Sequence, residues 1–169
     1  MTSLNPAELG WILDKINSGG SKRTILLSHH PLFSAFASVG RNGLHAYGYN
    51  PRRYQSFQAV LDRIALWFWG HEHTLAVYEP FIGLDRGRCI GCSAVPVFRN
   101  QQAYVLDRNL STLKPQVFPT WVANAQLGNN GTDYNHAFAL LELTDPQASV
   151  EYYEVPLGGS PSLLWQESL

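Results

Sequence analysis

Four large apolar side chains on consecutive residues, Leu66, Trp67, Phe68 and Trp69, constrain this chain more than any other segment. Successive strand residues point to opposite faces, so a strand built from these four needs apolar cover on both sides. The run stops at Gly70-His71-Glu72-His73. An earlier apolar run, residues 24–28, is rich in strand formers, reads as a central strand covered on both faces, and stops at His29-His30-Pro31. Between the two, Asn50-Pro51 opens a helix with a capping side chain and a proline at its first position; Tyr54, Phe57, Leu61 and Ile64 mark its buried stripe. Strand, loop, helix, strand is the order of a parallel α/β crossover. Both histidine motifs then fall at the C-terminal ends of strands, where open α/β sheets bind their ligands.

The flanking segments extend this plan. Asn5, Pro6 and Glu8 spell a capped helix start; Leu9, Ile12 and Ile16 share its inner face, Trp11 borders that face and reads as core, and Gly19-Gly20 ends it. Residues 32–50 form a long irregular loop, a natural rim for a binding site. Residues 75–78 and 89–93 read as further strands, 100–135 mostly as loops. Residues 137–143 and 149–155 flank Thr144-Asp145-Pro146-Gln147-Ala148, a turn between strand-like runs, which predicts a terminal β-hairpin. The domain spans 1–157, and 158–169 is a linker-like tail on which Trp165 either docks back or hangs loose.

With 45% hydrophobic and 15% charged residues in 169, the chain has enough apolar surface for one core. Twelve Lys and Arg against 13 Asp and Glu leave a net charge of −1, and the basic residues lie in scattered pairs, so no nucleic-acid patch is expected. No run is long and apolar enough for a membrane segment or a signal peptide, which implies a cytoplasmic location if Met1 is the native start. Cys89 and Cys92 lack the second pair that a structural zinc site needs and read as ordinary strand residues.

Neutral imidazole suits zinc, iron and manganese, and histidines at two neighbouring strand ends can share one coordination sphere. Gly70 is expected to supply the sharp exit from the strand that aims His71 and His73. Arg41 and His45, in the loop after the first motif, are candidates for substrate binding, because a guanidinium suits phosphate oxygens. Tyr47 and Tyr49 are candidates for the wall of a cleft, and His136, at the start of a hairpin strand, for a structural role.

Ile25-Leu26-Leu27-Ser28-His29-His30-Pro31 followed by Trp67-Phe68-Trp69-Gly70-His71-Glu72-His73 resembles the last two metal motifs of the calcineurin-like metallophosphoesterases, the superfamily of the purple acid phosphatases. The resemblance covers roughly residues 5–155. It implies the C-terminal half of a layered α/β sandwich with a mixed sheet, and a hydrolase of phosphomonoesters or phosphodiesters using two divalent or mixed-valence ions (Zn, Mn or Fe). It implies that His29 and His71 bind one ion and His73 the other. His30 is set aside, because the family's histidine stands two residues before the proline, and Glu72, at a variable position, is expected to be solvated or behind the ligands. The family's earlier motifs, Asp-x-His, Gly-Asp and Gly-Asn-His, do not occur ahead of His29, and Asn135-His136 lacks the glycine and the position to replace one. No catalytic residue is therefore assigned. A half site of this kind implies weak metal binding, no activity alone, and association with itself or a complementing chain through an exposed sheet. Two other readings stand beside it: a mononuclear site of His29, His71 and His73, and a non-catalytic interaction domain.

Overall fold

The structure is a computed structural model that describes residues 4–37, 39–42, 45–101, 103–106 and 118–169. Its order is α1 (Pro6–Ser18), β1 (Thr24–Ser28), β2 (Gly40–Asn42), β3 (His45–Tyr47), α2 (Pro51–Phe57), β4 (Ile64–Trp69), β5 (Leu75–Val77), β6 (Gly87–Ile90), β7 (His136–Thr144), β8 (Gln147–Val155) and β9 (Ser162–Ser168). The fold is α/β, a mixed sheet ordered β1-β4-β6-β5 with a second, antiparallel sheet β7-β8-β9.

All six residues of β4 are buried, and the strand divides the interior as its alternation requires. Trp67 and Trp69 face a core with Phe33, Phe57, Leu61 and Ile16; Leu66 and Phe68 face the antiparallel sheet through Val150, Tyr152 and Ala137. The crossover is parallel, with Ser28 opposite Trp69. Gly87 lets β6 lie beside β4, because a Cβ there would overlap the rings of Trp69 and Phe33.

Several expectations need correction. Among the described residues β1 pairs only with β4, at the edge of the sheet, and Leu27 is 71% exposed, so the strand is not central and not covered on both sides. Trp11 is 63% exposed, because α1 turns its Leu9, Ile12 and Ile16 side inward and leaves residue 11 beside that stripe. The helix opened by Asn50 ends at Phe57; Leu61 lies in a 3-10 turn and Ile64 already begins β4, although Phe57, Leu61 and Ile64 are all buried. The loop after the first histidine motif contains the β2-β3 pair. The strand expected at 89–93 runs instead from Gly87 to Ile90, with Cys89 in it and Cys92 beyond it, both buried and free. Of the 100–135 stretch, 102 and 107–117 lie outside the described residues; the rest holds a 3-10 turn at Arg99–Gln101 and isolated bridges.

The largest correction concerns 158–169, expected as a tail. It forms β9, the third strand beyond the β7-β8 hairpin, paired antiparallel to β8 from Ser149 opposite Ser168 to Glu154 opposite Ser162, with a shift of register between Tyr152 and Tyr153. Glu167 accepts hydrogen bonds from Arg88 Nε at 2.8 Å and Nη2 at 2.7 Å, and from the Tyr152 hydroxyl at 2.7 Å. Trp165 packs on Tyr152 and under the Arg88 guanidinium. A buried arginine on one sheet thus finds its carboxylate on the last strand of the other.

Candidate metal centre

Because β1 and β4 are adjacent and parallel, the residues that follow them leave the sheet side by side. Trp67 Nε1 donates to Ser28 Oγ at 2.9 Å, and that hydroxyl donates to the His30 carbonyl at 3.0 Å. The Gly70 amide donates to the His29 carbonyl at 3.2 Å. These bonds tie the two strand ends together just where the imidazoles begin.

Three imidazoles converge there. One ring nitrogen each from His29, His30 and His71 lies within 4.8 Å of the others, and His29 Nε2 stands 3.2 Å from His71 Nδ1. Two nitrogens bound at about 2.0–2.1 Å to a tetrahedral ion stand roughly 3.3–3.4 Å apart, so this pair has the spacing of two ligands on one ion. Without an ion, the same distance is a hydrogen bond from one ring to the other. The third nitrogen, within 4.8 Å of the others, must close in by up to about 1.4 Å to complete the set. His29 and His71 are exposed and His30 is half-buried, which leaves the group open to solvent and to a ligand. Burial, followed by His71, His29 and Arg53, pushes the His30 imidazole below its ordinary value, favouring the neutral form that coordinates metal.

The turn is built differently from the expectation. The residue in the left-handed region is His71, at φ 67°, not Gly70, a conformation that costs a non-glycine residue about 1–2 kcal/mol. A Cβ on Gly70 would meet only ordinary contacts, at 3.8 Å from the His29 carbonyl. The indispensable glycine is Gly91, past β6, where a Cβ would collide with the Glu72 carbonyl and press on Gly70. Close approach of the backbone at Gly91 holds the 70–72 turn, a relation between segments about twenty residues apart with no local signature.

Of the expected site residues, His29 and His71 come together, and His30, set aside from sequence, joins them. His73 lies outside that group and lines a cavity of about 280 Å³ with Phe36, Glu72, Thr74 and Gln101. Glu72 is turned inward: Ser34 Oγ donates to its Oε1, while Oε2 is enclosed without a partner among the described residues. Burial pushes its carboxyl up to about 7, against the opposing effect of the Ser34 hydrogen bond. Arg41 and His45 sit on β2 and β3, with Arg41 opposite Ala46 and His45 opposite Asn42; their side chains lie outside the described part of the structure. Tyr47 and Tyr49 are in ring contact at 5.6 Å, and His136 Nδ1 lies 3.2 Å from the Ser93 carbonyl.

Arg53 is the residue that sequence reasoning missed. It enters from the first turn of α2, where its amide is held by the Asn50 cap at 3.2 Å, and its Nη1 donates to the carbonyls of His30 and Pro31. The helix pattern places residue 53 one position before Tyr54 of the buried stripe, and that adjacency is its only sequence signal.

The donor set suits one ion. Three imidazole nitrogens fit zinc, or iron or manganese completed by other ligands. Among the described residues no carboxylate joins this group to hold a second ion, and Glu72, beside His71 in the chain, is turned inward to Ser34. No helix among the described residues is long and apolar enough to cross a membrane. No family model matches this chain, and no curated protein matches it.

Proposed function

We propose that this chain carries the histidine side of a hydrolytic metal centre that acts on phosphoesters in the manner of the calcineurin-like metallophosphoesterases, with the two-metal site completed by ligands this sequence lacks. The observation that carries the reading is the convergence of His29, His30 and His71 at the ends of two adjacent parallel strands. His29 and His71 would hold the ion and His30 would close on it. A bound ion would act as a Lewis acid toward a phosphoryl oxygen. The chain's own groups keep the site poised: Ser28 and Arg53 fix the His30 carbonyl, Gly91 fixes the 70–72 turn, and the depressed basicity of His30 keeps its lone pair free.

One observation favours a second reading, a mononuclear three-histidine site, since all three clustered donors are imidazoles; in it His30 takes the place that the sequence assigned to His73. Zinc titration of the purified chain, alongside hydrolysis of an aryl phosphodiester, separates the readings. The expected result is one zinc per chain, lost in His71→Ala, with negligible turnover by residues 1–169 alone. Robust turnover refutes the incomplete-site reading. Tight uptake abolished by His30→Ala and untouched by His73→Ala supports the mononuclear site, and no uptake at all leaves the interaction domain.

A further inference from the structure

Arg53 is 7% exposed, and no carboxylate lies within 4 Å of its guanidinium among the described residues. The other buried arginine, Arg88, shows what this fold does with such a charge: it is paired twice to Glu167. An unpaired buried cation is costly, and burial indeed pulls the Arg53 proton affinity down. Only Nη1 is engaged, by the carbonyls of His30 and Pro31. Nε and Nη2 make no hydrogen bond to a described residue, yet neither is a fully enclosed atom, so that edge of the plane is not sealed off. These two N–H groups form the fork that meets two oxygens of one oxyanion at once. The tether at Nη1 keeps the fork within a guanidinium's width of the histidine loop.

We infer that Arg53 is the anion-recognising group of the histidine centre, so that its ligand is an oxyanion held between a histidine-bound ion and the free Nε and Nη2 edge. This inference rests on the metal reading above. It supplies the charge partner that Arg53 lacks, and it assigns recognition to a residue outside both histidine motifs.

The test uses zinc-loaded full chain, inorganic phosphate as the probe and acetate as the second anion. Titration followed through the arginine Nε–H resonances, with Arg53→Lys identifying the Arg53 signal, is expected to move that signal with phosphate. Movement with phosphate alone assigns phosphoryl groups, and movement with both anions assigns oxyanions generally. Calorimetry at equal zinc occupancy is expected to show phosphate affinity lowered at least tenfold in Arg53→Gln, which removes the charge and the planar fork. Zinc uptake with an unmoved Arg53 signal overturns the inference and leaves the metal reading standing. Failure of zinc uptake by the wild-type chain overturns both.

Discussion

Removal of the Glu167 carboxylate tests whether β9 belongs to the fold or merely trails from it. In Glu167→Ala, Arg88 loses both of its charge-assisted bonds, at 2.8 and 2.7 Å, Tyr152 loses its acceptor at 2.7 Å, and Arg86 loses a contact at 3.3 Å. Arg88 is 4% exposed and would keep only the carbonyls of Tyr78 and Gly87, so an uncompensated charge would remain inside. Breaking one side of a buried pair costs about 3–5 kcal/mol, and at this chain length each kcal/mol lowers Tm by roughly 2–4 °C. The substitution should therefore lower Tm by roughly 6–20 °C, read by urea and thermal unfolding with Trp165 fluorescence as the probe beside the lost pair. The double variant Arg88→Met with Glu167→Leu removes both charges together and should recover to within about 1–2 kcal/mol of wild type, because an apolar pair of similar volume fills the same space without a desolvation cost. With the single variants Arg88→Met and Glu167→Leu measured beside it, the coupling energy of the cycle isolates the pair. A Glu167→Ala loss below about 1 kcal/mol, or a double variant no better than the single, would refute a structural role for β9.

Other consequences are sharper at the site. Gly91→Ala should lower stability by about 2 kcal/mol or more and reduce zinc uptake, since its Cβ collides with the Glu72 carbonyl; unchanged calorimetric zinc binding would contradict that account. His71→Gly should raise the stability of the metal-free chain by about 1 kcal/mol in chemical unfolding, by relieving the positive φ, while abolishing zinc uptake. Ser28→Ala removes the hydroxyl between Trp67 Nε1 and the His30 carbonyl and should cost about 1–2 kcal/mol in urea unfolding. Leu27→Lys, on the free β1 edge, should reduce association of concentrated protein in sedimentation, with little change in Tm.

Local patterns carried much of the fold. The cap at Asn5 with Glu8, the cap at Asn50 with Pro51, and the β7-β8 hairpin are set by groups a few residues apart, and all three stand in the structure. The buried run at β4 and the parallel crossover follow from alternation and element order. Other features were out of reach for the same reason. Whether a strand lies at an edge depends on its neighbours and not on its own composition, so Leu27 and its apolar run read as central.

What the sequence determined alone is the class of the fold and the place where imidazoles gather: strands ending in histidines, joined by a helix, deliver them to one end of a sheet. Tertiary structure decided which groups meet there. It exchanged His73 for His30 in the cluster, moved the strained turn residue from Gly70 to His71 and the essential glycine to Gly91. It also placed Arg53 under the histidine loop and Glu167 on Arg88, 79 residues apart in the chain. Helix caps, alternation and turns are short-range energies written in neighbouring residues, whereas coordination geometry, close backbone approach and the pairing of buried charge arise only when distant segments are packed together.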